Sequence, residues 1–221
     1  MRIYSLLLIL VLLSSCGQDD CHVPGGYMFE RPATLSPAKL IYNVGDTITV
    51  SAMFSDEVYD RATGRTYLLE NFDFYPLSTF CRLDTVGIDT LELVTEEHFD
   101  FIISPTYNYN LRISNSAGAE LAGEFNYEDH IYDLEYKIVV KKPGLYLATF
   151  STWLDNFSER IDFPGQCKGQ ILDSWTMLND GAANNDTLLL DAVDERWHRH
   201  YNEPNLNENF HRWGGYCFKV E

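Results

Sequence analysis

Asp133-Leu134-Glu135-Tyr136-Lys137-Ile138-Val139-Val140, Lys141-Lys142-Pro143-Gly144, Leu145-Tyr146-Leu147-Ala148-Thr149-Phe150: this run decides the fold. Leu134, Tyr136, Ile138 and Val140 alternate with Asp133, Glu135 and Lys137. A period of two, with β-branched and aromatic residues on one side, describes a strand half-buried on a sheet. Lys141 to Gly144 turns the chain, because Pro143 and Gly144 punctuate regular structure. Tyr146, Ala148 and Phe150 then alternate with Leu145, Leu147 and Thr149. The two strands read as a hairpin-like pair.

The same period recurs on both sides of this run. From Asp46 to Phe54, Ile48, Val50, Ala52 and Phe54 share one face and Thr47, Thr49, Ser51 and Met53 the other. Pro37 to Tyr42 forms an earlier strand, with Asn43 to Asp46 as the turn between. Phe72 to Leu83 is β-rich, and Pro76 inside it argues for an edge strand or a bulge. Thr90–Val94, Phe99–Ile103, Tyr107–Ile113 and Glu120–Tyr127 supply further short strands. At the end of the chain Tyr216, Phe218 and Val220 face inward, with Cys217 and Lys219 outward. Between Trp153 and Trp213 the pattern changes. Asn179 to Thr187 is polar and Asn-rich. Thr187 can cap a helix whose stripe is Leu189, Val193, Trp197 and Tyr201, ended by Pro204.

Short strands at regular spacing, without alternating helices, predict a mainly β chain: an antiparallel β-sandwich with a short helical or irregular insertion, 151–213, before the last strand. A strand, a Pro-Gly corner and a Tyr opening the next strand are similar to the E–F corner of immunoglobulin-like sandwiches. The resemblance is to the architecture alone. The antibody-type disulfide would need a Cys in each of two central strands, and neither 46–54 nor 145–150 has one.

The first twenty residues carry an address. Arg2 precedes the apolar run Leu6–Leu13, which is too short to span a bilayer but has the length of a signal-peptide core. Leu13-Ser14-Ser15-Cys16 resembles the lipobox of bacterial lipoprotein signals. That resemblance implies removal of residues 1–15 and acylation of Cys16, with two acyl-bearing positions for stable anchoring. Gly17-Gln18-Asp19-Asp20 resembles the surface-export signal of Bacteroidetes lipoproteins. With Tyr42-Asn43-Val44-Gly45-Asp46-Thr47-Ile48, Pro143-Gly144-Leu145-Tyr146, Cys167 and Tyr216-Cys217-Phe218-Lys219-Val220, the chain looks like a group of Bacteroidetes outer-membrane lipoproteins with an immunoglobulin-like β-sandwich domain. The implied organisation is a signal peptide (1–15), a Pro/Gly-containing tether (16–33) and one sandwich domain (34–221). The implied location is the outer membrane, with display on the cell surface.

Composition narrows the partners. The 221 residues carry a formal charge of −17, 45% hydrophobic residues and 14% aromatic residues. Clustered Lys and Arg are needed to neutralise phosphates, so such acidity argues against nucleic acid. It argues equally against charge-driven adsorption to anionic lipid, which leaves the acyl chains on Cys16 as the membrane contact. If Cys16 is lipidated, Cys21, Cys81, Cys167 and Cys217 remain, an even set that fits two disulfides in an oxidising compartment. Three connectivities are open. An outward Cys217 suits a bond to Cys167 that pins the insertion, which leaves Cys21 with Cys81.

The remaining constellations are weak. His198 and His200 lie two apart on an expected helix and point to opposite sides, so they do not read as metal ligands. Asp180, Asn184, Asn185 and Asp186 are oxygen-rich but lack the positions of a calcium loop, and they read as a flexible polar loop. Asp84-Thr85, Asp89-Thr90 and Asp186-Thr187 are each followed by an aliphatic residue, which resembles Bacteroidetes O-glycosylation acceptors at Thr85, Thr90 and Thr187. Of the four Trp, any that is exposed on a sandwich face can stack on a sugar ring, although burial is the usual role. No nucleophile elbow, phosphate loop or dinucleotide fingerprint is present. These readings point to a binding or interaction module with no cofactor and with a protein or glycan partner.

Overall fold

The computed structural model describes residues 21–85, 97–104, 107–114, 118–154 and 160–221. In chain order the strands are β1 (Tyr27–Ser36), β2 (Ile41–Tyr42), β3 (Thr47–Ser55), β4 (Glu57–Asp60), β5 (Arg65–Leu68), β6 (Tyr75–Arg82) and β7 (Phe99–Ile103). They continue with β8 (Tyr109–Ser114), β9 (Gly118–Gly123), β10 (Asn126–Glu128), β11 (Ile131–Val140), β12 (Gly144–Trp153), β13 (Leu172–Leu178) and β14 (Tyr216–Val220). Two short helices, α1 (His198–Asn202) and α2 (Pro204–Arg212), lie just before β14.

Two sheets face each other. The first runs β10-β11-β3-β1-β4-β5, with β7 on β11 and β13 on β1. The second runs β2-β14-β12-β6-β9-β8. Most pairings are antiparallel, but β1 pairs β13 in parallel from Tyr27↔Leu172 to Ala33↔Leu178, and β14 pairs β2 in parallel. The core between the sheets is the set that the alternation predicts. Ile48, Val50, Leu134, Tyr136, Ile138 and Val140 meet Tyr146, Ala148, Phe150, Phe218 and Val220.

The opening run needs one correction. β11 and β12 do not pair as a hairpin: β11 lies beside β3 in the first sheet and β12 between β14 and β6 in the second. Lys141–Pro143 carries the chain from sheet to sheet. Tyr146 locks this corner by donating its hydroxyl to the Lys142 carbonyl at 2.9 Å. The geometry is that of the E–F corner in immunoglobulin-like sandwiches.

Other elements also differ from the sequence reading. The tether expected over 16–33 contains β1 from Tyr27 onward. Pro32 does not exclude a strand, because its ring constrains φ within extended geometry and only a donor is lost. β1 also supplies the parallel pairing to β13, so the stretch expected as irregular insertion holds a seven-residue strand of the first sheet. Pro76 lies on an interior strand, β6, opposite Thr152, one residue before β6 begins its pairing with β9 at Leu77. The expected single helix is broken. Asp186–Asp191 is a 3₁₀ turn with no side-chain cap, and Pro204 opens α2 at its first turn, where a missing N–H costs nothing. Thr90–Val94 lies outside the described residues.

A second cluster closes one end of the sandwich. Tyr27, Phe29, Phe72, Phe74, Tyr132 and Phe163 pack mostly edge to face around Cys167. A third lies on the outer face of the second sheet. There Leu188, Leu189, Ala192 and Phe210 of the insertion cover Leu145, Leu147 and Cys217. This cap explains why Cys217 faces outward, as its alternation requires, yet is fully buried.

The disulfide reading is overturned. Cys21 bonds Cys167, while Cys81 and Cys217 are free thiols. Cys81 and Cys217 both stand directly opposite Leu147, from its two flanking strands. Strands lie ~4.8 Å apart, so these two Cα atoms are separated by two strand spacings, beyond disulfide reach. Cys167 belongs to the aromatic end cluster and Cys217 to the capped outer face, which rules out the expected Cys167–Cys217 bond and with it Cys21–Cys81. Burial pushes the Cys81 thiol up to about 12. Such a thiol is protonated and inert at neutral pH.

Candidate binding cleft

The cap covers only part of the outer face of the second sheet. Beside it the face is open, and a cleft of about 620 Å³ remains. Its floor is made by outward residues of three neighbouring strands: Leu77 of β6, Glu120 and Ala122 of β9, and Ser151 of β12. Trp153 ends β12 at the rim. Trp213, which follows α2, also lines it. Trp153 is 73% exposed and Trp213 43% exposed. Two large indoles held open in one concave site are unusual, since Trp is normally spent on burial.

Local structure holds both residues in place. β14 ends its pairing with β12 at Ala148, which leaves the β12 edge free beyond that residue. Neighbouring groups satisfy this edge. The Phe150 N–H donates to the Trp213 carbonyl at 2.8 Å. Thr176 donates its hydroxyl to the Phe150 carbonyl and Ser174 to that of Thr152, at 2.8 and 2.9 Å. Trp213 is thereby tied by its own backbone to the strand that carries Trp153. Gly214 follows with φ +60°, and a Cβ there would stand 2.9 Å from Thr176, so only glycine permits this close return. Arg212 forms an ion pair with Asp173 at the cleft wall, and its burial lowers the guanidinium pKa.

Tyr75 is shared with a neighbouring polar pocket of about 260 Å³, whose lining includes Asn71, Asp73, Asn108, Glu124, Asn126 and Arg160. There Arg160 pairs with Asp73 and donates to the Asn71 side chain at 3.0 Å, so its charges are satisfied from within. The larger cleft, with its open rings, is the better-equipped site.

The residues singled out in the sequence fall as follows. Cys16 and Thr90 lie outside the described residues. The Thr85 hydroxyl is buried without a hydrogen-bond partner, whereas Thr187 is exposed. Side-chain hydrogen bonds tie the polar loop, expected to be flexible, to its neighbours. Asn184 is buried and bonds the Leu178 carbonyl, and Asn185 donates to the Cys217 carbonyl at 2.9 Å. Asn184 and Asn185 both adopt positive φ, which asparagine tolerates better than most residues. His198 reaches the Ala192 carbonyl, His200 lies against Trp197 and His211 stands 3.5 Å from Asp186. Among the described residues no cluster of three or more metal-ligating side chains occurs. No helix among them is long and apolar enough to cross a membrane. The sequence offered Trp153, Trp175, Trp197 and Trp213 alike as candidates, and the structure exposes Trp153 and Trp213 while Trp175 and Trp197 are half-buried. Neither Glu120 nor Arg212 carried a signal, because the cleft depends on which half of the face the cap leaves bare.

No family model matches the chain, and no curated protein does. Solved structures with partial similarity include a type II cohesin domain from the cellulosome of Acetivibrio cellulolyticus. It is 12% identical and spans 66% of this chain and 91% of that one, with a TM-score of 0.28. Another is the type II cohesin A11 from Bacteroides cellulosolvens, 12% identical, spanning 59% and 81% with a TM-score of 0.25. Scores at this level carry no argument about function.

Proposed function

We propose that this chain is a lipid-anchored, non-enzymatic binding module of the cell envelope whose ligand occupies the cleft lined by Trp153 and Trp213. Residues 1–15 are a signal peptide, and acyl chains on Cys16 hold the protein at the outer membrane. The acidic residues after Cys16 favour display on the cell surface. The observation that carries the binding role is the pair of exposed indoles, 73% and 43%, that line one concave site, with the Trp213 backbone bonded to the strand that carries Trp153. Such a site buries a ligand against rigid aromatic surface with little entropy to lose on binding.

A second reading makes the ligand a glycan and the chain an accessory lipoprotein of polysaccharide uptake. It is favoured by Glu120, Asp173, Ser174 and Arg212 beside the two rings, a set that supplies hydrogen-bond donors and acceptors around stacking faces. A glycan array probed with wild type and the W153A/W213A double variant separates the readings. Wild-type binding that the double variant loses establishes the glycan. An array without any wild-type binding removes the glycan reading. Photo-crosslinking from position 153 on intact cells then tests for a protein partner, and no crosslinked product would end the cleft proposal. Intact-mass measurement of the mature protein tests the rest: a mass beginning at an acylated Cys16 is expected, with hexose increments if Thr85, Thr90 or Thr187 is glycosylated. An unprocessed Met1 would overturn the anchor.

A further inference from the structure

Arg31 sits at an inward position of β1, between Phe29 and Ala33 on the same face, and is only 2% exposed. Its guanidinium therefore lies inside the sandwich. One contact satisfies it directly: Nη2 donates to Thr176 Oγ1 at 2.8 Å, the residue opposite it on β13. The rings of Phe74 and Phe125 stand 6.0 and 5.7 Å from the guanidinium carbon. Among the described residues no carboxylate pairs with it, and Nε finds no acceptor.

A buried charge without a counter-charge is among the least favourable arrangements in a protein interior. Burial lowers the Arg31 pKa to about 9, which still leaves the group charged at neutral pH. The aromatic faces offset part of the cost, but they carry no net charge. Beside Arg31 the structure leaves a cavity of about 20 Å³, lined also by Ser78, Phe125, Ser151 and Thr152. That is room for a single water-sized occupant. The Thr152 hydroxyl is buried there without a partner. Ser78 already accepts from the Tyr136 hydroxyl at 2.5 Å, so its own proton is free to be donated. Around this cavity the polar groups are thus a cation and hydroxyl donors.

We propose that the cavity at Arg31 is a binding site for one monatomic anion, chloride in physiological media, held by the Arg31 guanidinium and the hydroxyls of Thr152 and Ser78. A water molecule would fill the space but leave the charge unbalanced. Sulfate and phosphate are too large for it. The cavity shares Pro76, Ser151 and Thr152 with the cleft on the other side of the sheet. This inference is independent of what the cleft binds.

The test is thermal unfolding of the full chain in sodium chloride against sodium gluconate at matched ionic strength. A ligand bound only by the folded state raises stability with its concentration. Each tenfold rise in chloride above Kd then multiplies the folded-to-unfolded ratio about tenfold. Bromide should substitute for chloride, and gluconate should give no rise. Arg31→Met should abolish the chloride dependence. If that variant does not fold, Thr152→Val serves instead, and its chloride response should move to higher concentration. Equal Tm in chloride and gluconate for wild type would overturn the proposal. So would a wild-type chloride response in Arg31→Met.

Discussion

Asp56 shows how single side chains set the conditions under which this fold is most stable. The residue is 3% exposed, and burial alone would raise its pKa. The hydrogen bonds from His130 at 2.7 Å and from the Tyr127 hydroxyl at 2.8 Å outweigh that, so the net shift is downward. His130 shifts upward in return, through its bond to Asp56 and through the charges of Asp56, Glu70 and Asp129. The two shifts act at opposite ends of the pH scale. The depressed Asp56 contributes stability that is present above 3.8 and lost as pH falls through its folded value. The raised His130 contributes stability that is present below 6.5 and lost as pH rises through its folded value. The Tm difference between wild type and His130→Gln should therefore be largest between these limits and shrink on both sides. A difference that stays constant across pH would show that the pair does not couple to folding. None of this was visible in the sequence, where Asp56 and His130 are 74 residues apart.

At the scale of elements, period-two alternation was dependable where one face meets the core. Ile48, Val50 and Ala52 on β3, and Leu134, Tyr136, Ile138 and Val140 on β11, are all buried. Alternation says which side a residue faces, however, and not which strand lies next to it. That is why Lys141–Gly144 read as a hairpin turn although it joins two sheets. Nor does it say what covers the outer side. Leu145, Leu147 and Cys217 are apolar at outward positions, and this was the available sign of a third layer. The sequence read this layer as one helix from Thr187 to Pro204, whereas its chain is a 3₁₀ turn, a short α1 and a proline-started α2, because no one stripe runs through all three. Leu189, fully buried against the outer face, is its anchor. Leu189→Ala should cost about 2–5 kcal/mol, the range for large-to-small changes in a packed interior. Denaturant titration would measure it. A loss below about 0.5 kcal/mol, the scale of surface changes, would mean that the cap contributes nothing to global stability.

For the whole molecule, the mainly β sandwich with a late helical insertion was legible in the sequence, and the covalent wiring was not. Cysteine spacing does not report distance in a sheet, where Cys81 and Cys217 end up on either side of one leucine. The observed bond joins positions 146 residues apart. In the chain-entropy model, closing so long a loop restricts the unfolded state by roughly 5 kcal/mol. Reductant, or a C21S/C167S double variant, should lower the Tm measured by calorimetry. Unchanged unfolding under full reduction would show that the bond contributes nothing to stability. Cys217, fully buried beneath the cap, should stay unlabelled by alkylating reagents until the protein unfolds.

The Cys21–Cys167 bond also fixes how the molecule responds to mechanical load. A pull applied upstream of Cys21 does not peel β1 from its neighbours one residue at a time. It passes through the sulfur atoms to Cys167, which follows most of the sandwich strands in sequence. The loop between the two cysteines, a separation of 146 positions, is thereby excluded from extension, a length of roughly 500 Å at full stretch. Only the tail after Cys167 remains to lengthen: β13, the cap and β14. With the protein held by its two ends, a force spectrometer should record a short unfolding step in oxidising buffer. Addition of reductant should convert it into a long one.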